Sequence, residues 1–146
     1  MTQGTSHDQD RAVDWARDNG INHFDTAPSY GDTVSESNLG RALGRNRSDI
    51  IVTPTSGFSK DELEDIQGAT QNCVEASLKR LRQDHVDIFQ LHNTLDDATA
   101  SDSISVQQVI NDVLPVFIKL REKGLVRYLG FTAKGKTESL HALIET

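Results

Sequence analysis

Short apolar runs alternate along this chain with longer stretches in which apolar residues recur at helical spacing. The apolar runs predict strands over 21–25, 49–53, 86–91 and 126–132. The amphipathic stretches predict helices over 8–18, 35–43, 59–82, 105–108, 114–124 and 137–146, and a polar loop follows the third strand over 94–105. Because a helix separates each strand from the next, we expect a parallel sheet with right-handed crossovers.

Local sequence signals set the ends of several of these helices. The segment 59–62 has the spacing of a capping box, and Ser35 is the predicted N-cap of the second helix. Gly20 and Gly44 follow the last helical residues of the first two helices, where a left-handed backbone ends a helix. Pro115 blocks the turn before it, so we place it in the first turn of a separate helix.

The apolar positions also predict which surfaces are buried. In the first helix we expect one buried stripe, formed by Ala12, Val13, Trp15 and Ala16. The second strand contains a continuous β-branched run, Ile-Ile-Val, which suits a strand covered on both faces. The sequence therefore predicts a layered fold in which helices cover the sheet.

Length, charge and cysteine content narrow the class of protein. The chain has 146 residues and a formal net charge of −7, which fits one acidic domain over 1–146. Its acidity argues against nucleic acids and anionic membranes as partners, because both are negatively charged. No apolar run is long enough to span a membrane, and 1–10 lack a signal-peptide core. Cys73 is the single cysteine, so we expect no internal disulfide and a cytoplasmic location.

Two architectures accommodate four parallel strands with intervening helices. One is a small open α/β sheet, and the other is part of a (βα)8 barrel, of which this length supplies about half. In both, the carboxyl ends of the strands meet at one rim, where functional residues gather. Asp25, Tyr30 and His92 follow strand ends and should converge there.

These three side chains can support proton transfer to a carbonyl compound. A tyrosine hydroxyl donates a proton when a neighbouring cation makes it more acidic, a histidine can orient the carbonyl oxygen, and a carboxylate can hold the cation. Structural roles stand beside each of these. Asp25 could cap a turn, Tyr30 could be a loop aromatic, and His92 could be a satisfied strand-end histidine.

The other histidines and the cysteine are weaker candidates for a functional site. His23 flanks a strand and is expected to face solvent or to form a hydrogen bond, and Cys73 is expected to be a small core residue within a helix. The histidines and the single cysteine show no metal-ligand spacing, so no metal site is predicted.

Four segments resemble the aldo-keto reductases. Residues 20–27 (GINHFDTA) resemble the family strand GINFFDTA, and 30–43 (YGDTVSESNLGRAL) resemble the segment YGxxxSExxLGxAL. Residues 75–92 (EASLKRLRQDHVDIFQLH) resemble EASLKRLxxDYIDLYQLH, and 124–130 (GLVRYLG) resemble GKVRYIG. The motifs occur in family order and span nearly the whole chain.

This resemblance implies a (βα)8 barrel that reduces aldehydes and ketones with NADPH or NADH. It implies that Tyr30 is the general acid, that His92 orients the carbonyl and that Asp25 holds a lysine. It further implies that Thr26, Asn93 and Thr132 bind the cofactor. The matched segments correspond to barrel strands two to five, so we expect a partial barrel with four strands.

The sequence departs from the family pattern at the lysine. The position falls on Thr55 or Pro54, depending on the alignment, and Lys60 lies beyond it in the predicted cap of the next helix. Ala133 stands where many members carry an asparagine that holds the cofactor's carboxamide.

Three hypotheses follow from these observations. The first is a reductase by descent that turns over a small carbonyl substrate weakly or not at all. The second is a non-catalytic half-barrel, either an assembly module or an engineered scaffold, that forms a homodimer or other oligomer to cover its open sheet. The third is an independent flavodoxin-like open sheet, for which the sequence offers no phosphate-binding loop.

Overall fold

The computed structural model describes residues 1–44, 47, 49–96 and 102–146. In this part of the chain, the main strands are β1 (His23–Thr26), β2 (Ile51–Ser56), β3 (Val86–Leu91) and β6 (Val126–Phe131), with the short strands β4 (Thr94–Leu95) and β5 (Ser103–Ile104) between β3 and β6. The helices are α1 (Ser6–Asp18), α2 (Val34–Leu43), α3 (Lys60–Glu64), α4 (Ile66–Leu81), α5 (Val106–Gln108), α6 (Leu114–Glu122) and α7 (Thr137–Ile144).

The main strands form one parallel sheet. Among the described residues it has four strands in the order β1-β2-β3-β6, and every pairing is parallel. The predicted α/β class with four parallel strands is therefore confirmed. A separate two-stranded ladder joins β4 to β5, within the segment that the sequence predicts as a polar loop over 94–105. Part of that prediction, 97–101, lies outside the described residues.

Helices pack on one face of the sheet and bury the core. The rings of Phe89 on β3 and Phe117 on α6 lie 5.0 Å apart at a tilt of 54°. Leu81, at the end of α4, is fully buried in the same core. Because side chains alternate along a strand, every second residue points to the opposite face. We call that opposite face the open face.

Local signals place most helix ends as expected. The capping box of Ser59 and Glu62 forms at the start of α3, and a second one forms between Ser105 and Gln108 at α5. Gly44 follows α2 with a positive φ of 63°, as its predicted role requires.

The prediction of one continuous helix over 59–82 is wrong, because the helix is interrupted at Asp65. This residue ends α3, and its carboxylate then accepts a hydrogen bond from the backbone N–H of Gly68 at the start of α4. A side-chain acceptor at that position caps a new helix, which favours the break over a continuous helix.

The stretch before Pro115 also differs in detail from the expectation. Pro115 does lie in the first turn of α6, but the residues before it, Val109–Val113, form a π-helical turn that joins α5 to α6. Proline supplies no N–H to the preceding turn, and the wider π turn accommodates its ring without ending the helical path.

The predicted buried stripe of α1 and the predicted cap of α2 are both wrong in part. Of the stripe, Val13 is buried and Ala16 is half-buried, whereas Ala12 is exposed and Trp15 has 65% of its surface exposed. The sequence also predicts that Ser35 caps α2, but Thr33 occupies the N-cap position. Ser35 lies inside the helix instead, with its hydroxyl 3.3 Å from that of Thr26 on β1. This contact between strand and helix replaces the local cap.

Candidate active site

The carboxyl ends of β1, β2, β3 and β6 bring the predicted site residues to one rim. Thr26 faces α2 through its hydroxyl contact with Ser35, so the adjacent Asp25 points to the open face. Leu91 is buried in the helix-side core, and His92 follows it directly. Asp25 and His92 therefore lie on the same side of the sheet.

Asp25 is the acidic group of this rim. Partial burial raises the pKa of its carboxyl above the usual value, while the imidazoles of His23 and His92 act in the opposite direction. Asp25 and His92 therefore lie within electrostatic range of each other, although 67 positions separate them in the sequence.

His92 is held where three strands end. Its backbone N–H donates to the carbonyl oxygen of Ser56 at 2.8 Å, which ties it to β2. Its Nδ1 lies 3.1 Å from the hydroxyl of Thr132, which follows β6. The backbone N–H of Thr132 donates to the carbonyl oxygen of Leu91 at 2.9 Å. These bonds fix the imidazole ring and leave its Nε2 without a hydrogen-bond partner among the described residues.

Tyr30 is not hydrogen-bonded to this pair. It occupies the loop after β1, where its backbone N–H donates to the carbonyl oxygen of Ala27 and its side chain is 42% exposed. Within the described part of the chain, its hydroxyl forms no hydrogen bond to Asp25 or His92. The structure thus brings Asp25 and His92 together but does not join Tyr30 to them.

The position of the expected lysine is occupied by a buried, uncharged side chain. Thr55 is 2% exposed, and its hydroxyl donates to the backbone carbonyl of Thr26 across 3.4 Å. Pro54 lies in register with Thr26 in the β1–β2 ladder. Lys60, the other candidate, is the first residue of α3. No ammonium group stands at the Thr55 position itself.

Two of the three predicted cofactor residues have their side chains engaged within the protein. Thr26 is fully buried against Ser35. The amide of Asn93 accepts from the backbone N–H of Phe58 at 2.8 Å and donates to the carbonyl of Phe58 at 2.7 Å and to that of Asp102 at 3.2 Å. Thr132 remains partly exposed beside His92. Of the three, Thr132 is the side chain that is not buried within the protein.

The sequence interpretation missed one contact of this site. His23 Nε2 lies 2.7 Å from the hydroxyl of Thr53 on the neighbouring strand. The spacing of His23 and Asp25, two positions apart on one strand, could have indicated that both face the same side. The partner on β2 could not have been identified, because it depends on the register between strands.

A cleft of about 240 Å³ opens beside the carboxyl ends of β1 and β2. It is lined in part by Ser29, Thr55, Ser56 and Cys73. The thiol of Cys73 donates a hydrogen bond to the Ser56 hydroxyl at 3.0 Å, and burial raises the pKa of this thiol. A raised pKa keeps the sulfur protonated, which does not favour a nucleophilic role.

Metal-binding clusters and membrane-spanning helices are both absent from the described residues. Among them, no three histidine, cysteine, aspartate or glutamate side chains are grouped so as to hold a metal ion. No helix in the described part of the chain is both long and apolar enough to cross a membrane.

Comparisons with known proteins identify the family that this chain resembles. The model of the aldo/keto reductase family matches residues 2–145. The chain is 35% identical to an L-galactose dehydrogenase from Arabidopsis thaliana over 116 residues, which cover 77% of this chain and 34% of that protein. It is 30% identical to an aldo-keto reductase from Mycobacterium sp. (strain KMS) over 147 residues, which cover 99% of this chain and 47% of that protein.

Solved structures show the same relationship. An aldo-keto reductase from Klebsiella pneumoniae in complex with NADPH superposes with a TM-score of 0.76 at 25% identity, covering 99% of this chain and 46% of that one. The glycerol dehydrogenase from Gluconobacter oxydans superposes with a TM-score of 0.72 at 30% identity, covering 98% and 43%. The chain therefore spans less than half the length of these relatives, and the prediction of a partial (βα)8-type fold is confirmed.

Proposed function

Because the chain belongs to the aldo/keto reductase family, we propose that it carries the carbonyl-facing part of an NAD(P)H-dependent oxidoreductase site that reduces aldehydes or ketones. The observation that supports this most directly is the convergence of Asp25, His92 and Thr132 at one rim. In this proposal the chain acts as one domain over 1–146. The nicotinamide cofactor, when bound, supplies the hydride.

The hydrogen bonding of His92 suits the orientation of a carbonyl group. The Thr132 hydroxyl lies 3.4 Å from the Leu91 carbonyl oxygen and 3.1 Å from Nδ1 of His92. In the state in which it donates to Nδ1, the imidazole carries its hydrogen on Nε2. Nε2–H then points away from the protein contacts and can donate to a carbonyl oxygen. In this arrangement the proton of the alcohol product would come from Tyr30, whose exposed loop would have to bring the hydroxyl to the rim.

The set of catalytic residues that the family resemblance implies lacks its lysine in this chain. The family resemblance assigns a lysine that makes the tyrosine more acidic and is itself held by Asp25. Thr55 provides no positive charge there. General acid–base groups commonly contribute factors of about one hundred to ten thousand in rate. We therefore propose that the unmodified chain is weakly active or inactive.

Introducing the missing ammonium group, Thr55→Lys, is expected to raise kcat/KM for NADPH-dependent aldehyde reduction by about tenfold or more, because a cation beside Tyr30 favours its deprotonation. The measurement follows NADPH oxidation over a panel of aliphatic and aromatic aldehydes, with calorimetric titration of NADPH and NADH in parallel.

The matched control is Ile51→Lys, which adds the same charge to the opposite end of β2. It should leave the rate unchanged. Rapid reduction by the unmodified chain would contradict the proposed consequence of Thr55. Absence of cofactor binding in every variant, together with no gain from Thr55→Lys, would contradict the proposed function.

A second candidate function, assembly with another copy of the chain, is favoured by exposed apolar surface on the sheet. Tyr128 on the edge strand β6 is 60% exposed, and Ile51 on β2 is 36% exposed. Two copies could cover these side chains by placing β6 of one beside β1 of the other.

For this assembly we expect sedimentation equilibrium to give a dimer, and Tyr128→Lys to shift the protein towards monomer by placing a charge in the contact. Trp15→Lys, at an exposed site on α1, serves as the control. A monomeric wild-type chain at high concentration would exclude this second function.

A further inference from the structure

His23 and Asp25 lie on the same face of β1, next to one residue of β2. They are two positions apart on the strand, and Asp25 is in register with Thr53. The His23 Nε2 lies 2.7 Å from the Thr53 hydroxyl. Thr53 is almost completely buried, so it offers the imidazole a fixed anchor directly beside the Asp25 backbone.

The charged environment of Asp25 is simple within the described part of the chain. His23, from its own strand, and His92, from the end of β3, are the two groups that act on its charge. Strand β2 contributes the uncharged Thr53 and Thr55 beside it. His92 is already held by Thr132 and has its Nε2 available for a carbonyl group. His23 has no such second task among the described contacts.

We propose that His23 is a positioning residue for Asp25, and that its imidazolium, held by Thr53, supplies a positive charge on the same face of β1 as the Asp25 carboxylate. This inference rests on the proposed function for the role of Asp25 in the site, but not for the contact itself. In the imidazolium form, Nε2–H donates to the Thr53 hydroxyl, and the positive ring stabilises the Asp25 carboxylate. The interaction opposes the rise in pKa that partial burial imposes on Asp25.

The test is an NMR titration of the Asp25 side-chain carboxyl carbon in the purified chain, without cofactor or substrate. In His23→Phe, the pKa of Asp25 is expected to rise by about one unit, since an opposite charge at close range has been removed. His23→Gln, which can keep a hydrogen bond to Thr53 but carries no charge, should give the same rise. His23→Lys should restore the wild-type value.

Controls separate this effect from a general structural change. His85→Phe removes an exposed histidine near the other end of β3 and should leave the Asp25 titration unchanged. An unchanged Asp25 titration in both His23→Phe and His23→Gln would overturn the proposal, as would a failure of His23→Lys to restore it. Because no turnover is measured, a negative result here is distinct from a failure of the proposed reductase function.

Discussion

Replacing Arg80 with methionine is expected to lower the free energy of unfolding by about 3–5 kcal/mol, because it leaves a buried carboxylate without its counter-charge. Glu36 on α2 is completely buried. Its Oε2 accepts a hydrogen bond from Arg80 Nε at 2.6 Å, and its Oε1 has no partner among the described residues. Arg80 also donates to the Ser77 hydroxyl at 3.2 Å.

Urea unfolding followed by far-ultraviolet circular dichroism measures this loss. Lys79→Met, one residue earlier on α4 and exposed, removes the same charge and should cost less than about 0.5 kcal/mol. The double variant Glu36→Met with Arg80→Met should recover most of the stability, since the carboxylate is then gone as well. A single Arg80→Met variant as stable as Lys79→Met would show that the ion pair does not stabilise the fold.

Replacing Gly40 with alanine is expected to lower the free energy of unfolding by about 3 kcal/mol, because there is no space for a methyl group between α2 and α4. A Cβ at this position would overlap the carbonyl oxygen of Arg80 and would lie 2.7 Å from the Cα and the carbonyl carbon of Leu81. These are backbone atoms of a helix, so relief requires the two helices to separate. The gain in helix propensity from alanine, about 1 kcal/mol, does not offset this cost.

Gly68→Ala, in α4, is the matched comparison. Its added Cβ would meet the carboxylate of Asp65, a side chain that can rotate away, so the expected cost is the lost cap of α4, about 1 kcal/mol. Thermal and urea unfolding of both variants provide the measurement. Equal stability of the two would contradict the close approach of α2 and α4. Because Gly40 and Arg80 share one contact, their effects should not add.

Arg80→Met and Gly40→Ala should also affect the candidate site, through the loop that follows β1. Helix α2 contacts β1 through Ser35 and Thr26, and α4 holds α2 through Arg80 and Gly40. Asp25 lies at the end of that strand and Tyr30 lies in the loop between β1 and α2. Loss of the α2–α4 contact should therefore loosen the site as well as the fold.

The sequence predicted some strands better than others, for a physical reason. The strand over 86–91 agrees with β3 because four of its six residues are apolar and it lies in the middle of the sheet. The strand over 49–53, predicted from its β-branched run, is displaced relative to β2, Ile51–Ser56. Pairing with β3 at Thr55 and Ser56 extends the strand past the proline. The predicted strand over 21–25 likewise corresponds to His23–Thr26, displaced at both ends.

The candidate site was likewise predicted in part from the sequence. The positions of Asp25 and His92 at strand ends followed from the order of strands alone. The electrostatic interaction between them agrees with that expectation. The roles of Asp25, Tyr30 and His92 stay predictions. The engagement of the Asn93 amide by the backbone of Phe58 and Asp102 could not be foreseen, because neither the loop geometry nor the burial of Asn93 has a local sequence signal.

By itself, the sequence determined the order of the four main strands, the capping box at Ser59, and the family to which the motifs belong. These depend on interactions between residues three or four positions apart, or on motifs that are contiguous in the chain. Only the tertiary structure decided that Glu36 is buried against Arg80 and that His23 contacts Thr53. These partners are 44 and 30 positions apart, and they meet because strand register and helix packing place them together.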